Sequence, residues 1–100
     1  MNRAFYSDYV KHMMRFYART FNIQPTFKTE VDKTNWHTCR TVIEHYNPIE
    51  QTIFISVYGG FDTLADEVYR ASKEHSLNQS VIWDMMKDFE RRIAKRRGLI

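Results

Sequence analysis

The sequence is poor in residues that break helices and in the residue that forms covalent cross-links. Its 100 residues include three glycines, two prolines and a single cysteine, Cys39. One cysteine excludes an internal disulfide and cannot by itself form a zinc site, and this usage is typical of a reducing compartment. The scarcity of glycine and proline favours long helices. Because 43% of the residues are apolar and 15% aromatic, the chain can fill a core without cross-links.

Long apolar runs are also absent. No segment approaches the roughly 20 consecutive apolar residues that span a bilayer, and the N-terminus lacks the apolar stretch of a signal peptide. We therefore expect a cytoplasmic protein that does not contact membranes. A chain of 100 residues is the size of one domain, so a single domain over residues 1–100 is expected.

Two helices are predicted in the N-terminal half, residues 1–46, which we expect to form an aromatic helical pair. In the first, from Ala4 to about Thr20, apolar residues come in adjacent pairs that recur at helical spacing. This pattern predicts a wide apolar face that the rest of the chain must cover. The second begins near Thr29, and its apolar positions, from Val31 onward, place Cys39 as a small core residue.

The third helix has the clearest start signal in the sequence. Asn47 is a preferred N-cap, Pro48 suits the first helical position, and Glu50 can reach back to the cap. The glycine pair at residues 59–60 marks its end. Residues 53–57 are apolar and partly β-branched, which leaves a strand open as an alternative; the caps on both sides favour a helix.

Two further helices follow, and the connection between them is short. Thr63 and Asp66 form a start signal for the fourth helix, and residues 76–78 form a turn. The fifth helix begins near Asn78, ends near Gly98 and directs its apolar residues inward, namely Ile82, Met85, Met86, Phe89 and Ile93. No stretch alternates long enough for a sheet. The prediction is a compact all-α domain of about five helices with a C-terminal helix-turn-helix in residues 47–100.

Positive charge is concentrated at the C-terminal end. Residues 87–97 hold six basic and two acidic groups, a net charge of +4. The other 89 residues hold nine basic and ten acidic groups, a net charge of −1. Complementing a helix dipole requires only one or two cations. The excess favours an anionic partner, of which nucleic acid is the commonest. The alternative, that these cations only complement the helix dipole and keep the chain soluble, stays open.

A helix, a tight turn and an amphipathic helix with a basic end are typical of a helix-turn-helix unit. Val68, Ala71, Leu77 and Ile82 would form its small core. In such modules the start of the second helix faces base edges, and later cations contact phosphates. The candidate DNA-contacting residues are Gln79, Ser80 and Trp83 near the start of the helix, and Lys87, Arg91, Arg92, Lys95, Arg96 and Arg97 further along.

Residues 47–99 resemble region four of bacterial sigma factors of the sigma-seventy superfamily, as found in small sigma-factor-like regulators of phages and mobile elements of Gram-positive bacteria. In that family a helix with a leading proline and an acidic residue ends at Tyr-Gly, and Thr-Leu opens the next helix. A helix-turn-helix with an arginine-rich end follows. The matching residues are Pro48 with Glu50, Tyr58 with Gly59, Thr63 with Leu64, and residues 78–97. The resemblance implies binding of double-stranded promoter DNA through the last helix, with RNA polymerase as a second partner.

Two other functions stay open at this level. The chain is alternatively a protein-interaction module, with Trp83 and the aromatic first helix contacting a polymerase subunit or a partner chain. A structural role for Trp83, packed on the N-terminal helices, is an equal option, and the first helix is the natural surface for a homodimer. The third possibility is an RNA-binding helical domain, because aromatic and basic residues also suit single strands.

The sequence offers no set of residues for catalysis. The four histidines lie in different predicted elements, and His37 and Cys39 are two positions apart, on different faces of a helix. No Cys-x-x-Cys, His-Glu-x-x-His or glycine-rich phosphate loop is present. We therefore expect no enzyme activity, no metal and no cofactor.

Overall fold

The computed structural model describes residues 5–23 and 25–100, and all regular secondary structure in them is α-helical. The five helices are α1 (Ser7–Thr20), α2 (Glu30–Ile43), α3 (Pro48–Gly59), α4 (Leu64–His75) and α5 (Gln79–Arg96). The predicted all-α fold of about five helices is therefore confirmed. None of the helices described is both long and apolar enough to cross a membrane. The start predicted at Ala4 lies outside the described residues, as does Gln24 in the break after α1.

The predicted start signals form the hydrogen bonds expected of them. Thr29 is the N-cap of α2. Before α3, the Asn47 side chain accepts from the Glu50 backbone N–H at 2.8 Å, and the Glu50 carboxylate accepts from the Asn47 backbone N–H at 3.1 Å. Thr63 Oγ1 accepts from the Asp66 backbone N–H at 3.2 Å at the start of α4. These bonds satisfy backbone donors that a helix start otherwise leaves unpaired.

The helices pack around one core. α1 lies against α2, α3 and α5, while α4 lies against α3 and α5, and α2 also packs on α5. The Phe54 and Phe89 rings stack at 4.4 Å between centroids and join α3 to α5. Cys39 is fully buried, as predicted. The core is made by this set of side chains: Val10, Met13, Met14, Tyr17, Ala18, Trp36, Cys39, Val42, Ile43, Ile53, Phe54, Val57, Tyr58, Val68, Ala71, Ile82, Met86, Phe89, Ile93 and Ala94.

The predicted burial of apolar residues in the first two helices was wrong at four positions, and Phe5, at 79% exposed, is the most open of them. Tyr9 is 41% exposed and Phe16 39% exposed, although their partners in the apolar pairs, Val10 and Tyr17, are buried. Adjacent helix residues point about 100° apart, so both members of a pair are covered only where helices pack on both sides, as at Met13 and Met14. Val31 is 53% exposed because it lies in the first turn of α2, where most residues face solvent.

A buried carboxylate joins three helices. Glu90 of α5 is only 5% exposed, and it accepts hydrogen bonds from Tyr58 of α3 at 2.6 Å and from Ser7 of α1 at 2.9 Å. Lys11, also on α1, adds an ion pair at 3.1 Å. Burial and the neighbouring Glu90 raise the pKa of Tyr58 well above its usual value. The phenol therefore stays protonated and keeps donating to the carboxylate.

The connection between α3 and α4 is held by two charged side chains. Arg19 of α1 donates to the Gly60 carbonyl at 2.9 Å, and its guanidinium lies 4.7 Å from the centre of the Phe61 ring. The Glu67 carboxylate accepts from the Asp62 backbone N–H at 3.2 Å. A Cβ atom at residue 60 would lie 2.2 Å from Glu67. Glycine at this position therefore allows the buried carboxylate to approach the loop.

The turn between α4 and α5 contains a left-handed residue that is not glycine. Ser76 has φ 54° and ψ 44°, and the next backbone N–H, of Leu77, donates to the Ser72 carbonyl at 3.0 Å. Leu77 packs against the core in which Val68, Ala71 and Ile82 are buried. The residues predicted to form a small core in this segment are therefore part of the single core of the domain or packed against it. The helix-turn-helix arrangement of α4 and α5 stays a prediction.

Replacing Glu90 tests the buried carboxylate. Glu90→Ala is expected to lower the free energy of unfolding by about 2–4 kcal/mol, because Tyr58, Ser7 and Lys11 lose their shared acceptor. Urea denaturation followed by circular dichroism measures this change. The control is Glu74→Ala, at an exposed position of α4, which should change stability by less than about 0.5 kcal/mol. Equal effects of the two substitutions would contradict a structural role for Glu90.

Replacing Ser76 tests the turn. A β-branched side chain is strongly disfavoured at positive φ. Ser76→Val should therefore be less stable than Ser76→Gly by about 1–2 kcal/mol. Thermal unfolding of both variants measures the difference. If the two melted at the same temperature, the left-handed geometry at this residue would be wrong.

Candidate nucleic-acid interface

The outer face of α5 carries a row of cations, which we call the basic stripe: Lys87, Arg91 and Lys95. They are spaced four residues apart, so they lie on one face of the helix at steps of about 6 Å. All three are exposed, and none makes an ion pair or side-chain hydrogen bond with another described residue. The inner face of the same helix, with Phe89 and Ile93, is buried in the core. Core packing therefore fixes the direction in which the stripe points.

The first turns of α5 present polar, acidic and aromatic side chains. Gln79 and Ser80 are exposed, as a role in base contacts requires. Asp84 is also exposed and lies three residues before Lys87, so an acidic group adjoins the basic stripe. Trp83 is half-buried and packs against the core. Its packing agrees with a structural role, and only part of its ring is open to a partner.

Arg92 is engaged within the protein. Its Nε pairs with the Asp88 carboxylate at 2.9 Å, and its guanidinium lies 5.3 Å from the centre of the Tyr46 ring. The Tyr46 hydroxyl donates to the same carboxylate at 2.7 Å. Burial raises the pKa of Tyr46 above its usual value, and the hydrogen bond to Asp88 raises it further. This cluster holds α5 against the end of α2 and leaves less of the Arg92 charge for a ligand.

Arg97 is engaged as well. Its Nε donates to the Asn35 side-chain carbonyl at 2.7 Å, and the Asn35 amide donates to the Tyr9 hydroxyl at 2.9 Å. The chain of bonds connects α1 and α2 to the end of α5, and the side chain of Arg97 is half-buried. Of the six cations predicted to contact phosphate, Arg92 and Arg97 therefore also hold the fold together.

A groove between α2 and α5 adds a residue that sequence reasoning missed. It has a volume of about 290 Å³ and is lined by Val42, His45, Arg92, Lys95 and Arg96. Asn35 bonds to Arg97 and Tyr46 bonds to Asp88, so α2 and α5 run antiparallel. This packing places His45 beside the basic end of α5. No spacing signal could have found it, because the two helices are far apart in sequence.

Two features of the described residues bear on metal binding and on thiol chemistry. No three His, Cys, Asp or Glu side chains among them lie close enough together to hold a metal ion. Burial raises the pKa of Cys39 to about 12, and its side chain is fully buried. A thiol in this state is not a nucleophile at neutral pH.

High pH is expected to destabilise the fold. In the folded state the pKa of Cys39 is raised above its ordinary value of 9.0. The pKa values of Tyr46 and Tyr58 are raised above their ordinary value of 10.0. As the pH rises above these ordinary values, the unfolded chain releases protons that the folded chain keeps, so the free energy of unfolding falls. The melting temperature should therefore decrease as the pH rises above about 9. Tyr46→Phe should show a shallower decrease. A melting temperature that stays constant to about pH 11 would contradict these pKa shifts.

No protein-family model, no curated protein and no solved structure matches this chain.

Proposed function

We propose that this chain is a DNA-binding transcriptional regulator that places α5 in the major groove of double-stranded DNA, in the manner of sigma-factor region four. The basic stripe is the observation that carries the proposal. Lys87, Arg91 and Lys95 are exposed, lie along one helix face and have no intramolecular partner among the described residues. A linear array of such cations suits a linear polyanion, since each contact with a phosphate releases condensed counterions.

The residues of α5 divide into three roles in this proposal. Gln79 and Ser80, both exposed in the first turn, would face base edges; glutamine can form a bidentate pair with adenine, and serine can bond to several bases. The basic stripe and Arg96 would contact phosphates. Arg92 and Arg97 would position the helix through their bonds to Asp88 and Asn35. The proposal assigns the chain no catalytic role.

Exposed aromatic side chains favour a second candidate function, a protein-interaction module. Tyr9 and Phe16 on α1 are 41% and 39% exposed, and Phe61 after α3 is 88% exposed. Aromatic residues are enriched among the side chains that dominate protein interfaces. In this version the partner is RNA polymerase or a second copy of the chain, and the aromatic surface rather than α5 makes the contact.

Binding to random-sequence duplex DNA at increasing salt concentration tests the proposal. The variant Arg91→Gln/Lys95→Gln should weaken binding and reduce the slope of log affinity against log salt by roughly 2, or about 0.9 for each phosphate that is no longer neutralised. The matched control is Lys33→Gln/Arg40→Gln, which removes one lysine and one arginine from exposed positions of α2. It has the same net charge and should keep the wild-type slope.

Asp84→Asn tests the orientation of the stripe with a substitution that should strengthen DNA binding, whereas the previous variant should weaken it. Removing an acidic group beside Lys87 should tighten DNA binding a few-fold at low salt, because the carboxylate repels phosphate. If Arg91→Gln/Lys95→Gln and the α2 control lost DNA affinity equally, only the net charge of the protein would determine DNA binding. Absence of binding at low salt would reject the DNA proposal and favour the protein-interaction module.

A further inference from the structure

A second concave site lies between α1 and α2, and none of the basic-stripe residues lines it. We call it the α1–α2 cleft. Its volume is about 440 Å³, within the range of small-molecule sites. Its lining includes the aromatic side chains of Phe16 and Phe27 and the cations Arg15 and Lys28. Planar apolar surface and positive charge therefore meet in one cavity.

The cations of the cleft outnumber its acidic groups. Arg15, Arg19 and Lys28 line it, and Asp32 is the acidic residue among the lining side chains. Arg19 already donates to Gly60 and lies over the Phe61 ring. Arg15 and Lys28 make no hydrogen bond or ion pair with another described residue. Two such cations in one cavity favour an anionic ligand.

The side chains that line the cleft indicate which chemical groups the ligand carries. Arginine donates in a planar fork that matches phosphate oxygens, and lysine adds a point charge. The exposed Phe16 ring suits stacking with a flat base, a contact that all bases can make. Phe27, whose ring packs on Trp36 and His37, adds apolar surface beside it. The Asp32 carboxylate can accept a hydrogen bond from a base amino group. Phosphate, flat ring and amino group occur together in a nucleotide.

We propose that the α1–α2 cleft binds a phosphorylated nucleoside, with its phosphate on Arg15 and Lys28, its base against Phe16 and Phe27, and a base amino group on Asp32. The ligand is either a free mononucleotide or the terminal nucleotide of a single strand. This site shares no residue with the basic stripe, so it does not depend on DNA binding by α5.

Calorimetric titration with adenosine monophosphate, adenosine and inorganic phosphate tests the site. The monophosphate should bind at least ten-fold more tightly than either of its parts alone. Arg15→Gln/Lys28→Gln should weaken its binding at least ten-fold, while Arg91→Gln/Lys95→Gln and the control Lys33→Gln/Arg40→Gln leave it unchanged. Phe16→Ala should weaken binding of the monophosphate and leave binding of inorganic phosphate unaffected. Circular dichroism checks that each variant is folded.

A 5′-phosphorylated tetranucleotide distinguishes the two sources of the ligand. If the tetranucleotide binds more tightly than the monophosphate and Arg15→Gln/Lys28→Gln abolishes this binding, the cleft is assigned to a strand end. If the tetranucleotide binds equally or more weakly, the cleft is assigned to a free nucleotide. Three results would overturn the proposal: no saturable binding of either probe at millimolar concentration, monophosphate binding unaffected in Arg15→Gln/Lys28→Gln, or inorganic phosphate binding as tightly as the monophosphate. Loss of DNA binding in the α5 variant has no bearing on these outcomes.

Discussion

The buried carboxylate of Glu90 is the constraint on which the arrangement of the helices depends. An ionised group inside a core is costly unless hydrogen bonds and a counter-charge surround it. Tyr58 and Ser7 supply the hydrogen bonds, and Lys11 supplies the charge. These donors come from α1 and α3, so both helices must approach α5 at one place. Together with the burial of Phe89 and Ile93, the requirement sets which face of α5 turns inward and therefore which face carries the cations.

Polar contacts at the edge of the core fix the other helix that packs on α5. Asn35 accepts from Arg97, and Tyr46 donates to the Asp88 carboxylate that pairs with Arg92. The bonds hold α2 antiparallel to α5. They also divide the basic residues of α5 and its C-terminal end into two groups, since Arg92 and Arg97 have partners in the fold while the basic stripe has none among the described residues.

Cations contact phosphate at both proposed ligand surfaces, but the two surfaces differ in shape. The basic stripe is a convex row of cations on one helix, suited to the phosphates of a long polymer. The α1–α2 cleft is concave, holds aromatic side chains beside its cations and fits one small ligand. Asn35 lines the cleft and also binds Arg97 at the end of α5. The cleft therefore borders the C-terminal end of α5, although it shares no charged side chain with the basic stripe.

The sequence by itself determined the all-α fold and most helix ends, because caps such as Asn47 with Glu50 are local hydrogen bonds between residues close in the chain. It also located the cations of α5, since the position of each charged residue is read directly from the sequence. Only the tertiary structure decided which cations are paired, which apolar residues, such as Phe16, stay exposed, and where His45 and Lys28 lie. These outcomes depend on side chains from different helices, and the packing that brings them together leaves no local spacing signal.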